Sequence, residues 1–330
     1  MLVNFSLLPE IRTRIENLIP IGVIPGPHTP KSLDSFFIPL LDELSELAKG
    51  VRTYDALSGQ SFELHAYLIL FSGDMPAISK LLCLKGHNGY CPCRFCLIQG
   101  QRPQGSTTYY PVLMPPTQRD VTWNPYDLPP RTRANLNEHL TEMYQATTIT
   151  HRNDLSTHYG VNRLSIFLRN PSFQFPDSFP YDIMHLFFEN VCPLLCDQWT
   201  GSRKFKNIEP ADPGYRLAPH IWEQIGEETA RAYKTIPSEF VGAMPDITNS
   251  KYKAEYWSFW IQYLGPILLR NRFPNAKYYR HFCALVSIIK TCLQFTITEQ
   301  EIDTLKESIV KWVEEYERCA LIVFQSTLVS

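Results

Sequence analysis

The chain has 330 residues, with 31 Lys and Arg against 33 Asp and Glu and a net charge of -2. That balance excludes a wholesale basic coat for nucleic acid but leaves room for a local patch. A hydrophobic fraction of 44% with 13% aromatics excludes general disorder. No apolar run approaches the roughly 18 residues of a membrane-spanning helix. The start, Met1-Leu2-Val3-Asn4, lacks the basic leader of a secretory signal. The expectation is a soluble intracellular protein, nuclear or cytoplasmic, neither secreted nor membrane-bound. The length suggests about two domains, and 26 Pro against 15 Gly predict long, Pro-punctuated connections.

In chain order, residues 1–8 read as a short strand, and Pro20, Pro25, Pro27 and Pro30 hold the next stretch as a loop. Leu33, Phe36, Phe37, Leu40, Leu41, Leu44 and Leu47 keep a period near 3.6, which predicts a helix over 34–49. Ser32 or Asp34 is its expected cap, Gly50 its expected stop, and Pro39 an expected kink. Val51–Tyr54 and Ser61–Phe71 read as paired strands around a turn at 55–59. The continuous apolar run Tyr67–Phe71 predicts a central strand buried on both faces, with Gly73-Asp74-Met75-Pro76 at its tip. A short helix is expected over 76–82, and 83–128 reads as irregular.

Helices follow at 131–145 and 181–199, with 146–181 mostly loop between them. A charged loop at 202–215 precedes a helix at 221–233 and a linker at 236–252. An aromatic helix at 255–269 carries Trp257, Phe259, Trp260 and Tyr263, and Gly265-Pro266 is expected to bend it. Two more helices are expected at 278–295 and 299–317, the last opened by a Thr298/Glu301 capping box. The apolar end, Leu321–Ser326, reads either as a docked terminal strand or as the edge of a truncated product.

Three groups of residues carry chemistry. Cys83, Cys91, Cys93 and Cys96 fall close together, with His87 between them. Cys93 and Cys96 have the two-residue spacing that lets a pair of thiolates share one tetrahedral ion. His87 sits in a glycine-bearing loop able to fold back, and Cys83, Cys91 or a later His is available as the fourth ligand. Structural zinc, buried unliganded cysteines and a redox pair are the three assignments this pattern admits.

The second group is acidic. Asp74 is either a rigidly held metal ligand at a strand tip or the cap of the helix that follows. Asp182 and His185, three apart on one helix face, share either a metal or a hydrogen bond, or act as a cap and a core histidine. Asp177 is a further possible ligand. The third group is basic: the stretch 256–298 has no acidic residue and five cations, Arg270, Arg272, Lys277, Arg280 and Lys290, interleaved with Phe273, Tyr278 and Tyr279. This is a phosphate-binding patch or a solvated face.

The chain resembles the central part of the CACTA-type (En/Spm-like) DNA transposases, in the form common in mushroom-forming fungi. The resemblance runs through Leu8-Pro-Glu-Ile-Arg12, Ile24-Pro-Gly-Pro27, Pro39-Leu-Leu-Asp-Glu-Leu44, Gly73-Asp-Met-Pro76, Gly86-His-Asn-Gly89 and Pro92-Cys-Arg-Phe-Cys96. It continues through Asp182-Ile-Met-His185, Trp199-Thr-Gly201, Trp257-Ser-Phe-Trp260 and Tyr263-Leu-Gly-Pro266. It implies an α/β fold: a partial RNase H-like sheet in 1–82, a small zinc-binding Cys/His loop region in 83–130 and connecting helices with the Asp-x-x-His motif in 131–200. A mainly helical insertion follows in 201–330, truncated on its C-terminal side.

It also implies strand cleavage and transfer on double-stranded DNA by three acidic residues holding two Mg²⁺ ions. Asp74 matches the second acidic position, and Cys93, Cys96 and His185 match an accessory cysteine pair and histidine. The other two acidic positions have no counterpart in these residues, and Thr107-Thr108 stands where a His is common. One carboxylate cannot cage two divalent cations. The expectation is therefore a transposase-derived chain, inactive as it stands. The alternatives are a host-retained noncatalytic DNA-binding or protein-interaction module, a nuclease built on Asp74, Asp177 and Asp182, or a zinc-stapled scaffold. A homo-oligomer is compatible with each.

Overall fold

A computed structural model describes residues 1–24, 26–27, 30, 32–101, 110–111, 113, 123–202, 205, 210, 212–242, 244–248 and 252–320. The expected strand at 321–326, Thr107-Thr108 and half of the 202–215 loop lie outside the described residues. The architecture is mixed α/β: many helices, with small antiparallel sheets of two strands each. The chain divides into two compact units, 1–71 with 164–178, and 72–163 with 179–330.

In the first unit, β1 (Leu2–Val3) pairs with β2 (Leu18–Ile19) around the single turn of α1 (Pro9–Arg12). Helix α2 (Asp34–Lys49) follows with the expected bounds and buries Leu41 and Leu44. Its cap differs from expectation: Leu33 holds that position and no side chain caps the end. The stop is as expected. Gly50 has φ +107°, and a Cβ there would lie 2.7 Å from the His65 ring, so only glycine fits.

Strands β3 (Val51–Asp55) and β4 (Gln60–Leu64) form the predicted hairpin, in register from Val51↔Leu64 to Asp55↔Gln60. The apolar second half of the expected strand does not join it. The Ala66 amide instead donates to the Leu47 carbonyl at 3.2 Å, which draws the chain off the ladder toward the end of α2. Tyr67, Ile69 and Leu70 are exposed, so 67–71 is not a central buried strand among the described residues. Phe71 turns inward and meets Phe37 and Phe167, with ring centroids 6.2 and 5.1 Å away. The segment 164–178 thus packs onto this unit through Phe167, and the Phe71 amide donates to the Ser178 carbonyl at 2.8 Å.

The second unit starts with α3 (Met75–Leu81) and the short pair β5 (Gly100–Gln101) and β6 (Tyr110–Pro111). Helix α4 (Arg133–Gln145) is opened by a Thr132/Asn135 capping box. Helix α5 (Ile149–Tyr159) falls inside the stretch read as loop. Its sequence carries almost no apolar stripe, and it is held instead at its ends. Thr148 caps the His151 amide, the buried Ser156 hydroxyl donates to the Val161 carbonyl, and Gly160 closes it at φ +70°. A Cβ at Gly160 would collide with the Cys91 carbonyl at 2.1 Å, so this glycine also lets the cysteine loop approach.

The helix expected at 181–199 has two halves, a π-helical stretch (Met184–Val191) and α6 (Cys192–Thr200). A second π-helical stretch, Trp260–Leu264, joins α8 (Ala254–Phe259) to α9 (Gly265–Leu268). Each lies just ahead of a proline, Pro193 or Pro266. Proline offers no amide and its ring crowds the carbonyl four residues back, and one wider turn relieves both problems without breaking the helix.

Helices α7 (Pro219–Ala232), α10 (Ala276–Cys292) and α11 (Glu299–Ala320) complete the unit. Its core is aromatic. Trp199 packs edge-on against Phe273 and Phe282, and the fully buried Trp260 donates its indole N–H to the Thr229 hydroxyl at 3.0 Å. The predicted Thr298/Glu301 box opens α11. No described helix is long and apolar enough to cross a membrane.

Candidate functional site

The cysteine loop is built around a buried arginine. Arg131, with no exposed surface, donates from Nε to the Cys93 carbonyl at 2.8 Å and from its terminal nitrogens to the carbonyls of Tyr159 at 3.0 Å and Cys91 at 3.2 Å. The same guanidinium reaches Cys91 Sγ at 3.0 Å. One side chain therefore ties the loop to the end of α5. Burial raises the Cys91 thiol above its ordinary range, and Arg131 opposes that shift.

Arg94 forms a second clasp. It is nearly buried, donates to the carbonyls of Phe179 and Pro180 at 2.7 Å each, and lies over the Tyr181 ring at 3.9 Å. Neither arginine was singled out from the sequence. The available signal was a cation within the cysteine motif and another directly after Pro129-Pro130, in a chain of low charge density.

Cys93 and Cys96 are brought together. Cys93 Sγ accepts the amides of Phe95 and Cys96, both at 3.3 Å, and the Tyr181 hydroxyl lies 3.7 Å away. The Cys96 thiol donates to Cys93, which holds Cys93 well below the ordinary thiol range; the two amides assist and burial opposes. Cys96 is raised correspondingly, by that shared proton first and by burial second. Such a pair places two sulfurs side by side on a short loop, a suitable half of a tetrahedral thiolate site.

His87 is exposed on a turn, and the Cys83 thiol, itself buried, makes a long contact with the Leu81 carbonyl. Asp182 accepts the His185 amide at 3.2 Å and lies 3.3 Å from His185 Nδ1, while His185 Nε2 lies 3.7 Å from Glu189. Among the described residues no three His, Cys, Asp or Glu side chains gather as a metal site. Asp74 caps α3, accepting the Ala77 amide at 2.6 Å.

The basic stretch is partly neutralised. Arg272 makes bonds of 2.8 and 3.1 Å to the Glu228 carboxylate, and Lys277 pairs with Asp212 at 2.9 Å. The Lys277 bond, with help from Tyr278 and the Gly214 amide, lowers Asp212 to about 2. Arg270 and Arg280 are exposed. Phe273 and Tyr278 are core residues, and the Tyr279 hydroxyl is spent on the Pro266 carbonyl at 2.7 Å. Phe273 and Tyr278 therefore present no free ring face for a base to stack on.

The first 106 residues match the sequence model of a family described as Transposase family tnp2, a stretch that holds Asp74 and the cysteine loop. This is similarity over about a third of the chain. Comparison with characterised proteins and with solved structures yields no match.

Proposed function

We propose that this chain is a transposase-related, noncatalytic module that acts by holding a protein partner. The observation that carries this reading is the employment of Asp74. Its carboxylate serves as the cap of α3, and among the described residues no metal-ligating group of three forms around it. A two-metal centre needs several oxygens converging on ions about 4 Å apart. Asp74 alone does not fit that requirement, so Mg²⁺ chemistry has no part in the proposed role. The CACTA-type ancestry, the partial RNase H-like core, an ancestral strand-transfer activity and residence in the nucleus belong to the same proposal and rest on the resemblance.

Protein is favoured over DNA as the partner because two of the five cations of the candidate patch, Arg272 and Lys277, are already engaged by carboxylates. Zinc is proposed as a structural cofactor on Cys93 and Cys96. Their geometry suits two of four positions and would replace the shared proton by a metal; the remaining ligands are unassigned.

The test supplies Mg²⁺ or Mn²⁺ and double-stranded DNA bearing candidate element ends. No nicking is expected. Metal-dependent nicking abolished by Asp74→Asn, a change that keeps the cap, would overturn the reading. Steeply salt-dependent DNA binding lost on Arg270→Glu and Arg280→Glu would transfer it to DNA.

A further inference from the structure

The second unit holds a cavity of about 580 Å³ that neither the cysteine loop nor the basic stretch uses. That volume lies within the roughly 300–1,000 Å³ of small-ligand sites. Its walls include the aromatic residues Trp222 from α7, Tyr252 from the segment before α8, Trp257 from α8 and Phe188 from the first π-helical stretch. Two carboxylates, Glu189 and Asp197, share the lining, and no Lys, Arg or His belongs to it among the described residues.

The ring planes are set from behind. Trp222 and Trp257 both pack edge-on against the buried Trp260, at 6.2 and 6.4 Å with interplanar angles of 70° and 83°. Tyr252 leans on Trp257 at 5.3 Å. Asp197 is held by the Ser202 hydroxyl at 2.7 Å, and Glu189 is about half exposed at the rim, with His185 at 3.7 Å.

The chemistry of this lining selects a ligand class. A neutral apolar guest would strip water from the half-exposed Glu189 carboxylate and offer it nothing in return. Thr200, Ser202 and Thr248 add oxygen to the lining, but the aromatic walls that make up much of the rest replace none of a small hard cation's hydration. A methylated ammonium head is bulky, weakly hydrated and positive, so it gains from the ring faces and the carboxylates together.

We propose that the cavity between Trp222, Tyr252 and Trp257, edged by Glu189 and Asp197, binds a methylated ammonium group. The source is either a free small molecule such as choline or a methylated lysine side chain. The second source deepens the proposed partner-holding function and rests on it; the cation site itself does not.

The test uses the full chain, calorimetry and saturation-transfer NMR. The probes are choline, its uncharged carbon isostere dimethylbutanol, a neutral peptide with one trimethyllysine, and the same peptide unmodified. Choline is expected to bind at least about tenfold more tightly than the isostere, the scale of a desolvated cation–ring contact. Trp257→Leu is expected to weaken choline by about tenfold or more. Glu189→Lys, at a residue exposed enough to spare the fold, is expected to weaken choline similarly and leave the isostere unchanged. Tighter binding of the trimethyllysine peptide than of choline assigns a protein source, and the reverse order assigns a small molecule. Equal binding of choline and the isostere, or no binding of either cation at millimolar concentration, overturns the proposal. DNA nicking alongside choline binding would overturn the noncatalytic reading and leave the cation site standing.

Discussion

Replacing Arg131 with methionine tests the construction of the cysteine loop. The substitution keeps most of the side-chain length and deletes the guanidinium, leaving the carbonyls of Cys91, Cys93 and Tyr159 without its donors. An unsatisfied buried polar group costs about 1–3 kcal/mol, so three of them sum to roughly 3–9 kcal/mol. The parent chain already carries the desolvation of a buried guanidinium, several kcal/mol that methionine does not. The net loss is set at the low end, about 3 kcal/mol. The chain has two units, so a single global unfolding midpoint does not isolate this effect.

The local measure is alkylation of Cys91, which is 4% exposed and reacts only when the loop opens. A loss of about 3 kcal/mol multiplies the open population, and hence the labelling rate read by peptide mass spectrometry, by about a hundredfold. Arg131→Lys keeps a charge but cannot reach three carbonyls at once, and is expected to fall between the two. Labelling of the methionine variant within about threefold of the parent would refute the reasoning.

Four further outcomes follow from particular contacts. Asp74→Ala removes the cap of α3 and is expected to cost about 1 kcal/mol, read as faster exchange of the Ala77 amide, while Asp74→Asn costs little. Loading the protein with Cd²⁺ is expected to give thiolate-to-metal absorption that Cys93→Ser and Cys96→Ser abolish and Cys91→Ser, whose sulfur faces Arg131, retains. Asp212, lowered to about 2 by Lys277 first, is expected by NMR to titrate below the ordinary Asp range. Its folded value is depressed, so its contribution is present above the unfolded Asp value and is lost as pH falls toward 2; Lys277→Ala should return it toward the ordinary value. Gly160→Ala is expected to destabilise both the end of α5 and the cysteine loop, because its Cβ would enter the Cys91 carbonyl, and Cys91 labelling should again accelerate.

Local signals in the chain were sufficient for elements whose stabilisation is local. The 3.6-residue apolar period of α2, the Gly50 stop, the Thr298/Glu301 box and the hairpin at 51–64 all appear where the residues place them. Asp74 takes one of the two roles its position allowed, the cap, because an unpaired amide three residues on lies within its reach. The Cys93/Cys96 pairing was legible from spacing alone, since two intervening residues bring the sulfurs together whatever surrounds them.

Long-range contacts decided the rest. The run Tyr67–Phe71 has the composition of a buried strand, but a ladder needs a partner, and composition does not say whether the chain supplies one; the Ala66 amide goes to α2 instead. Helix α5 is fixed by its caps and by Gly160 meeting the Cys91 carbonyl, with no periodicity to announce it. The basic stretch looked free because its neutralising carboxylates, Asp212 and Glu228, lie far from it in sequence. The clasp of Arg131, and the meeting of Trp222, Tyr252 and Trp257 with Glu189 and Asp197, join residues from separate elements. Such sites exist only once packing has fixed the backbone, because charge and ring geometry act through space and not along the chain.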